Sequence, residues 1–391
     1  MTRRSESHDY TRPGIYHITL HVAEGLGQPL GQVVGADVTA AAVALSPVGE
    51  AVKHELLTAI TAHYPMVMVD AYVIMPEHLH FLLMVSAPLV GRNGNATHLG
   101  QVIAGFKKGC NRAFWGVTGQ ESPVSPAGEP LVTVRGGSPA APLGSSARRR
   151  APWNGTSGRP SLFCEGYCDV MPITAEQLET QRTYILDNPR SRWLRTHYRD
   201  RLQPRRGGID TALTPAALCG FLPRECPQHL VAPDALAQIT GRLLLNGGKI
   251  DCDTYGDRTL LQRQLLPVVC HRRDKSRFAD QKARCLKAAE QGAVLLSARI
   301  ASGEQDILDT SIHNGFPVVM IADNGFPDRY HPSAERIALC AEGRLLLITP
   351  WQYQYRGKQE QVTVPHCKAM NCVAQALCRL KDDWWQIQSP R

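Results

Sequence analysis

A chain of 391 residues is long enough for two or three domains, each with its own core. Its 43 Lys and Arg against 35 Asp and Glu leave a formal charge of +8, a mild basic bias compatible with a polyanionic partner but not proof of one. The 12 cysteines form no facing C-x-x-C pairs, no stretch has the apolar length of a membrane span, and MTRRSESHDYTRPG has no apolar run behind its arginines. Metal-finger, membrane-spanning and secreted classes are set aside, and a cytoplasmic protein with reduced thiols is expected.

After a tail over 1–13, residues 14–115 alternate between strand-like and helix-like runs. Ile15 to Val22 (IYHITLHV) has period-two character, and Ala40 to Tyr64 reads as a helix with Val52, Leu56, Leu57 and Ile60 on one stripe. Met66 to Ile74 is an apolar strand, Met75-Pro76-Glu77 a break, and His78 to Val85 a second strand. Leu99 to Trp115 is helical, with Lys107, Lys108 and Arg112 on its polar side. Residues 116–160 lose periodicity, are rich in Pro, Gly and Ser, and carry Arg148-Arg149-Arg150, so a disordered insertion is expected there.

Order returns at Ser161. Thr174 caps a helix, with Gln177 at capping-box spacing, and Asn188-Pro189 closes or kinks it. Between 190 and 206 stand seven arginines (190, 192, 195, 199, 201, 205, 206) and one acid, Asp200. That density suits phosphate contacts and salt-dependent binding. Beyond about 210, the apolar strands Ala293–Ser297, Pro317–Ile321 and Arg344–Ile348 alternate with amphipathic helices, which predicts a parallel α/β domain over 215–391.

Two features carry chemistry. His78 and His80 lie two apart on a strand and so point to the same face. They are either a pair able to hold a divalent metal or two polar residues on a solvated sheet face. Tyr184 and Asn188 are four apart on a helix and share a face: either a phenol nucleophile and an amide oxygen able to ligate Mg²⁺ or Mn²⁺, or a core tyrosine on an amphipathic helix. A tyrosine attacking phosphorus splits strand cleavage and rejoining into two reversible steps.

MPEHLHFLL resembles the HUH motif of single-tyrosine HUH transposases. Within that group the REP-associated tyrosine transposases usually show Met-Pro-Asn-His-hydrophobic-His and a later Tyr-Ile-x-x-Asn-Pro, to which YILDNP at 184–189 is similar at every fixed position. GIYHITLHV, GFKKGCNRAFWG and LFCEGYCDV fall in the family's order, so the resemblance covers about residues 14–200. It implies that His78, His80 and Asn188 bind Mg²⁺ or Mn²⁺ and that Tyr184 is the nucleophile of a 5′-phosphotyrosine intermediate. It also implies a ferredoxin-like α+β domain, here over 14–205, acting as a homodimer on single-stranded or hairpin DNA. Glu77 stands where the family has Asn. Lys107, Lys108, Arg112, Arg190, Arg192, Arg195 and Arg199 are the expected DNA contacts; Tyr198 and Tyr167 are read as DNA-contacting, surface or packing residues.

Residues 290–351 look similar to the Rossmann-like core of the DNA-processing-A and lysine-decarboxylase-like families, which implies single-stranded DNA or a nucleotide as ligand. The stretch from Ser297-Ala298-Arg299 to Gly303-Glu304 is a place where backbone amides would meet a phosphate. The expected fold class is thus α/β: a ferredoxin-like domain followed by a Rossmann-like one. The competing functions are a domesticated DNA-binding protein with little cleavage, a metal-dependent hydrolase using water, and a replication initiator or relaxase. No membrane partner is expected.

Overall fold

The computed structural model describes residues 8–91, 94–119, 159–232, 234–273, 275–328, 330–356 and 361–380. The insertion expected over 116–160, with its arginine run, lies outside these residues from 120 to 158. The chain divides into two compact units, Met1–Trp193 and Leu194–Arg391. Both mix helix and sheet, so the α/β class holds.

The first unit opens with strand β1 (Gly14–His21), followed by the hairpin β2 (Gly31–Val34) and β3 (Ala42–Leu45). Helix α1 (Pro47–His54) starts at Ser46, whose hydroxyl accepts from Gly49 N, with Pro47 in the first turn. It runs through a π turn at Glu55–Ala59 into α2 (Ile60–His63). The helix expected from residue 40 therefore begins at 47. Ala42–Leu45 alternates exposed and half-buried and pairs with β2 instead. Ser46-Pro47 was the start signal.

Strands β4 (Val67–Met75) and β5 (His78–Val85) are joined by the two-residue turn Pro76-Glu77. The carbonyls of that turn accept from Leu30 N and Val22 N at 3.2 and 3.0 Å. Next come α3 (Leu99–Val117), β6 (Cys168–Val170), α4 (Ala175–Leu186) and the start of α5 (Asn188–His197), whose residues from Leu194 on count with the second unit. The sheet order is β4-β5-β1-β6, with every pair antiparallel. Setting aside the β2–β3 hairpin, this is the split β-α-β arrangement of ferredoxin-like folds.

Period two sorts the sheet's faces. Tyr16, Ile18 and Leu20 of β1 and Leu79, Phe81 and Leu83 of β5 are buried with Val52, Leu56, Ile60, Val102, Ile103 and Phe106 from the helices. Each such side chain removed from water stabilises the unit by about 1.5–3 kcal/mol. The opposite face carries the intervening residues, and there α4 lies against β4 and β5.

In the second unit α6 (Pro215–Glu225) and α7 (Ala235–Thr240) precede the hairpin β7 (Leu244–Asn246) and β8 (Lys249–Asp251). Then follow β9 (Asp253–Gly256), β10 (Leu265–Pro267), α8 (Phe278–Glu290), β11 (Val294–Ser297) and α9 (Ser302–His313). The order continues with β12 (Val318–Ile321), α10 (Ala334–Ala341), β13 (Leu345–Thr349) and α11 (Val364–Cys378). The sheet runs β10-β11-β12-β13-β9, the first four parallel and β9 antiparallel. The three expected strands are its centre. Every residue of β11, β12 and β13 is buried, as a parallel sheet covered on both faces requires.

Candidate active site

The site begins with register. β1 and β5 pair so that Thr19 faces His80 and His21 faces His78, with His17 two residues further along the same face. Four imidazoles are thereby gathered on the face away from the apolar core. Ring centroids are 4.8 Å apart for His78 and His80, 5.1 Å for His17 and His80, and 5.8 Å for His21 and His78. His80 is only 6% exposed and His17 4%, so this part of the face is covered rather than solvated. Sequence reasoning singled out His78 and His80 and passed over His17 and His21, although HITLH displays the same alternation.

The covering element is α4, and polar contacts orient it. Arg182 forms a two-pronged ion pair with Asp70, Nε to Oδ2 at 2.7 Å and Nη2 to Oδ1 at 2.9 Å. The register of β4 on β5 shifts between Val69 and Ala71, and the bulge so formed centres on Asp70. One residue before Arg182, Gln181 Oε1 lies 2.5 Å from His17 Nδ1. Thr174 caps the helix by accepting from Gln177 N, as its sequence spacing predicts.

Held this way, Tyr184 sets its ring edge-on to His80 at 5.3 Å and 5.9 Å from His17. It is 51% exposed, open to a large substrate. Asn188 opens α5, and its Nδ2 donates to the Tyr184 carbonyl at 2.9 Å. The structure thus brings His78, His80 and Tyr184 together, with Asn188 one turn beyond.

Burial keeps His80 and His17 neutral. Burial, then the neighbouring His78, His17 and His21, push His80 down to about 2. Burial also lowers His17, opposed by its bond to Gln181. Neutral rings are the form that binds metals. His80 engages its Nδ1 with Thr19 Oγ1 at 3.0 Å and His17 Nε2 at 3.1 Å, which leaves Nε2 for a ligand. His78 Nδ1 lies 3.7 Å from Glu77 Oε1, and Arg192 Nη1 approaches the same oxygen at 3.3 Å. Imidazoles steadied at one nitrogen and open at the other are what metal ligation needs. Among the described residues no group of three or more His, Cys, Asp or Glu side chains is arranged to hold a metal ion.

The predicted basic contacts are dispersed. Lys107 Nζ donates to the carbonyls of Cys164 and Gly166, tying down the loop before β6, while Lys108 and Arg112 are exposed. Arg190 reaches Asp187 at 3.5 Å and Arg192 reaches Glu77. In the second unit Arg195 donates to His331 Nδ1 at 2.6 Å, and Arg199 is exposed. Tyr167 is buried and Tyr198 borders on exposed.

In the second unit the expected phosphate position at the start of α9 is filled by the chain's own carboxylate. The buried Glu304 accepts from Ile300 N at 2.6 Å, Ala301 N at 3.2 Å and Cys270 N at 3.1 Å. The Ile300, Ala301 and Cys270 amides are thereby satisfied within the chain. Glu304 is plain in the sequence; only its inward direction was hidden.

No family model matches the sequence, and none of the curated proteins does. Among solved structures, the chain is similar to a REP-associated tyrosine transposase bound to a REP hairpin, with a TM-score of 0.28 and 12% identity over 48% of this chain and 73% of that one. It is also similar to DNA processing protein A from Helicobacter pylori, described in its single-stranded DNA binding mode, with a TM-score of 0.24 and 15% identity over 32% of this chain and 56% of that one. Both likenesses are distant and partial. Among the described residues no helix is long and apolar enough to cross a membrane.

Proposed function

We propose that the first unit is a metal-dependent, single-tyrosine DNA strand transferase acting on single-stranded or hairpin DNA. The observation that carries this reading is the Tyr184 ring edge-on to His80, above a sheet face on which His78 stands beside it. His78, His80 and Asn188 would hold Mg²⁺ or Mn²⁺, which when bound supplies positive charge to polarise the phosphodiester. Tyr184 Oη attacks phosphorus, an oxygen–phosphorus bond forms, and the bond from phosphorus to the 3′ oxygen breaks. The 3′ hydroxyl leaves with a proton, and the 5′ phosphate stays on the tyrosine. Attack by a 3′ hydroxyl reverses these steps and rejoins a strand without ATP.

The test is incubation of the full chain with labelled hairpin DNA and Mn²⁺, then a denaturing gel. A protease-sensitive covalent band that vanishes in Tyr184→Phe is expected. Hairpin binding without any adduct would instead identify a DNA-binding protein that has kept the fold and lost the reaction. Cleavage that survives Tyr184→Phe would identify a hydrolase using water.

A further inference from the structure

Gln181 lies on α4, one turn before Tyr184, and is not among the residues named from the sequence. Its Oε1 meets His17 Nδ1 at 2.5 Å. An amide oxygen only accepts, so His17 carries its proton on Nδ1. A neutral imidazole protonated there has a bare Nε2. That nitrogen lies 3.1 Å from His80 Nδ1. Of two facing imidazole nitrogens one must donate, and with His17 Nε2 bare the donor is His80 Nδ1. The proton on His80 is then fixed at Nδ1, and its Nε2 keeps a free lone pair. Thr19 Oγ1, 3.0 Å from the same Nδ1, accepts or donates and so follows either arrangement without choosing it.

We propose that Gln181 is a positioning residue which, acting through His17, selects the tautomer of His80 able to ligate a metal. The inference rests on the reading of His80 as a ligand. It adds that the helix carrying the nucleophile also prepares the ligand, so docking of α4 and readiness of the metal site are one event. Were Gln181 to present its amide NH₂ to His17, the chain would run backwards. His17 would donate from Nε2, His80 would carry its proton on Nε2, and no lone pair would face a cation.

The relay is testable without DNA or turnover, and its tautomers without metal. Histidine-labelled full-length chain is examined by long-range proton–nitrogen NMR above the histidine titration range, with His80→Gln and His17→Gln assigning the signals. Wild type is expected to show His17 and His80 each protonated at Nδ1 and bare at Nε2. Gln181→Leu, with its other histidine signals unmoved as evidence of folding, is expected to populate both His80 tautomers and to weaken Mn²⁺ binding by about 10–100-fold. Gln181→Glu keeps an acceptor in place and is expected to retain the wild-type pattern. A proton on His80 Nε2 in wild type overturns the proposal, as does an unchanged tautomer in Gln181→Leu, which would assign the choice to Thr19. Failure of the strand-transfer reading shows separately, as absence of a covalent adduct from a wild-type chain whose histidine spectra are as expected.

Discussion

Buried histidines in this protein are held uncharged because an imidazolium without water or a counter-charge is unfavourable, and the effect is measurable away from the candidate site. His366 on α11 stacks on Trp351 at 4.4 Å and meets the Asp323 carbonyl through Nε2 at 2.9 Å. Burial, then the charges of Arg356 and Arg242, push it down to about 4. An unfolded histidine titrates near about 6.5. Above that value neither state takes a proton and the contribution to stability is whole. As pH falls, the unfolded chain protonates while the folded one does not until about 4. Stability should therefore decline by up to about 1.4 kcal/mol per pH unit across that window. Urea unfolding of wild type and His366→Gln at several pH values checks this. The variant should lose that part of the slope, and parallel curves would refute it.

At the scale of elements, α4 joins the sheet through few apolar side chains and several polar ones. Ile185 is 0% exposed and Leu186, its neighbour, 66% exposed. Ile185→Ala should cost about 2–4 kcal/mol by the cavity it leaves, and Leu186→Ala should stay within about 0.5 kcal/mol. Chemical denaturation of the two variants reads the difference, and equal effects would mean that α4 is not seated as described. Local pattern announced this helix: the Thr174 cap, Gln177 three residues on, and Asn188-Pro189 at the end are all in the letters. Alternation likewise announced β5 and the shared face of His78 and His80. What the letters did not announce is pairing at long range. Gln181 and His17 are 164 positions apart, His17 and His80 63, and the Asp70–Arg182 pair depends on a one-residue bulge that no period reveals. Strand β9 was missed because DTYG is short and polar, and Ala42–Leu45 because alanines suit a helix as well as an edge hairpin.

Across the whole molecule, each unit closes its own core: one cluster spans Tyr16 to Tyr167 and another Leu213 to Ala374. The formal charge of +8 is spread through the sequence, and much of the arginine-rich stretch is engaged within the protein. Lys108 and Arg112 are exposed on α3. If both meet a single-stranded ligand, replacing them with Gln should reduce the slope of log affinity against log salt by about 0.7 for each phosphate no longer neutralised. Fluorescence anisotropy with labelled single-stranded DNA over a salt series measures that slope. An unaltered slope would remove α3 from the binding surface.

The sorting of the first sheet into an apolar and a histidine-bearing face has a consequence for strand register. Because side chains alternate with period two, a slip of one residue between β5 and β1 would turn Leu79, Phe81 and Leu83 outward and drive both histidines into the core. Such a chain would expose a sticky surface and bury uncompensated polar rings, so it would aggregate or be degraded. The apolar face that fixes the register thus also fixes the face on which the histidines stand, and the two cannot be set independently.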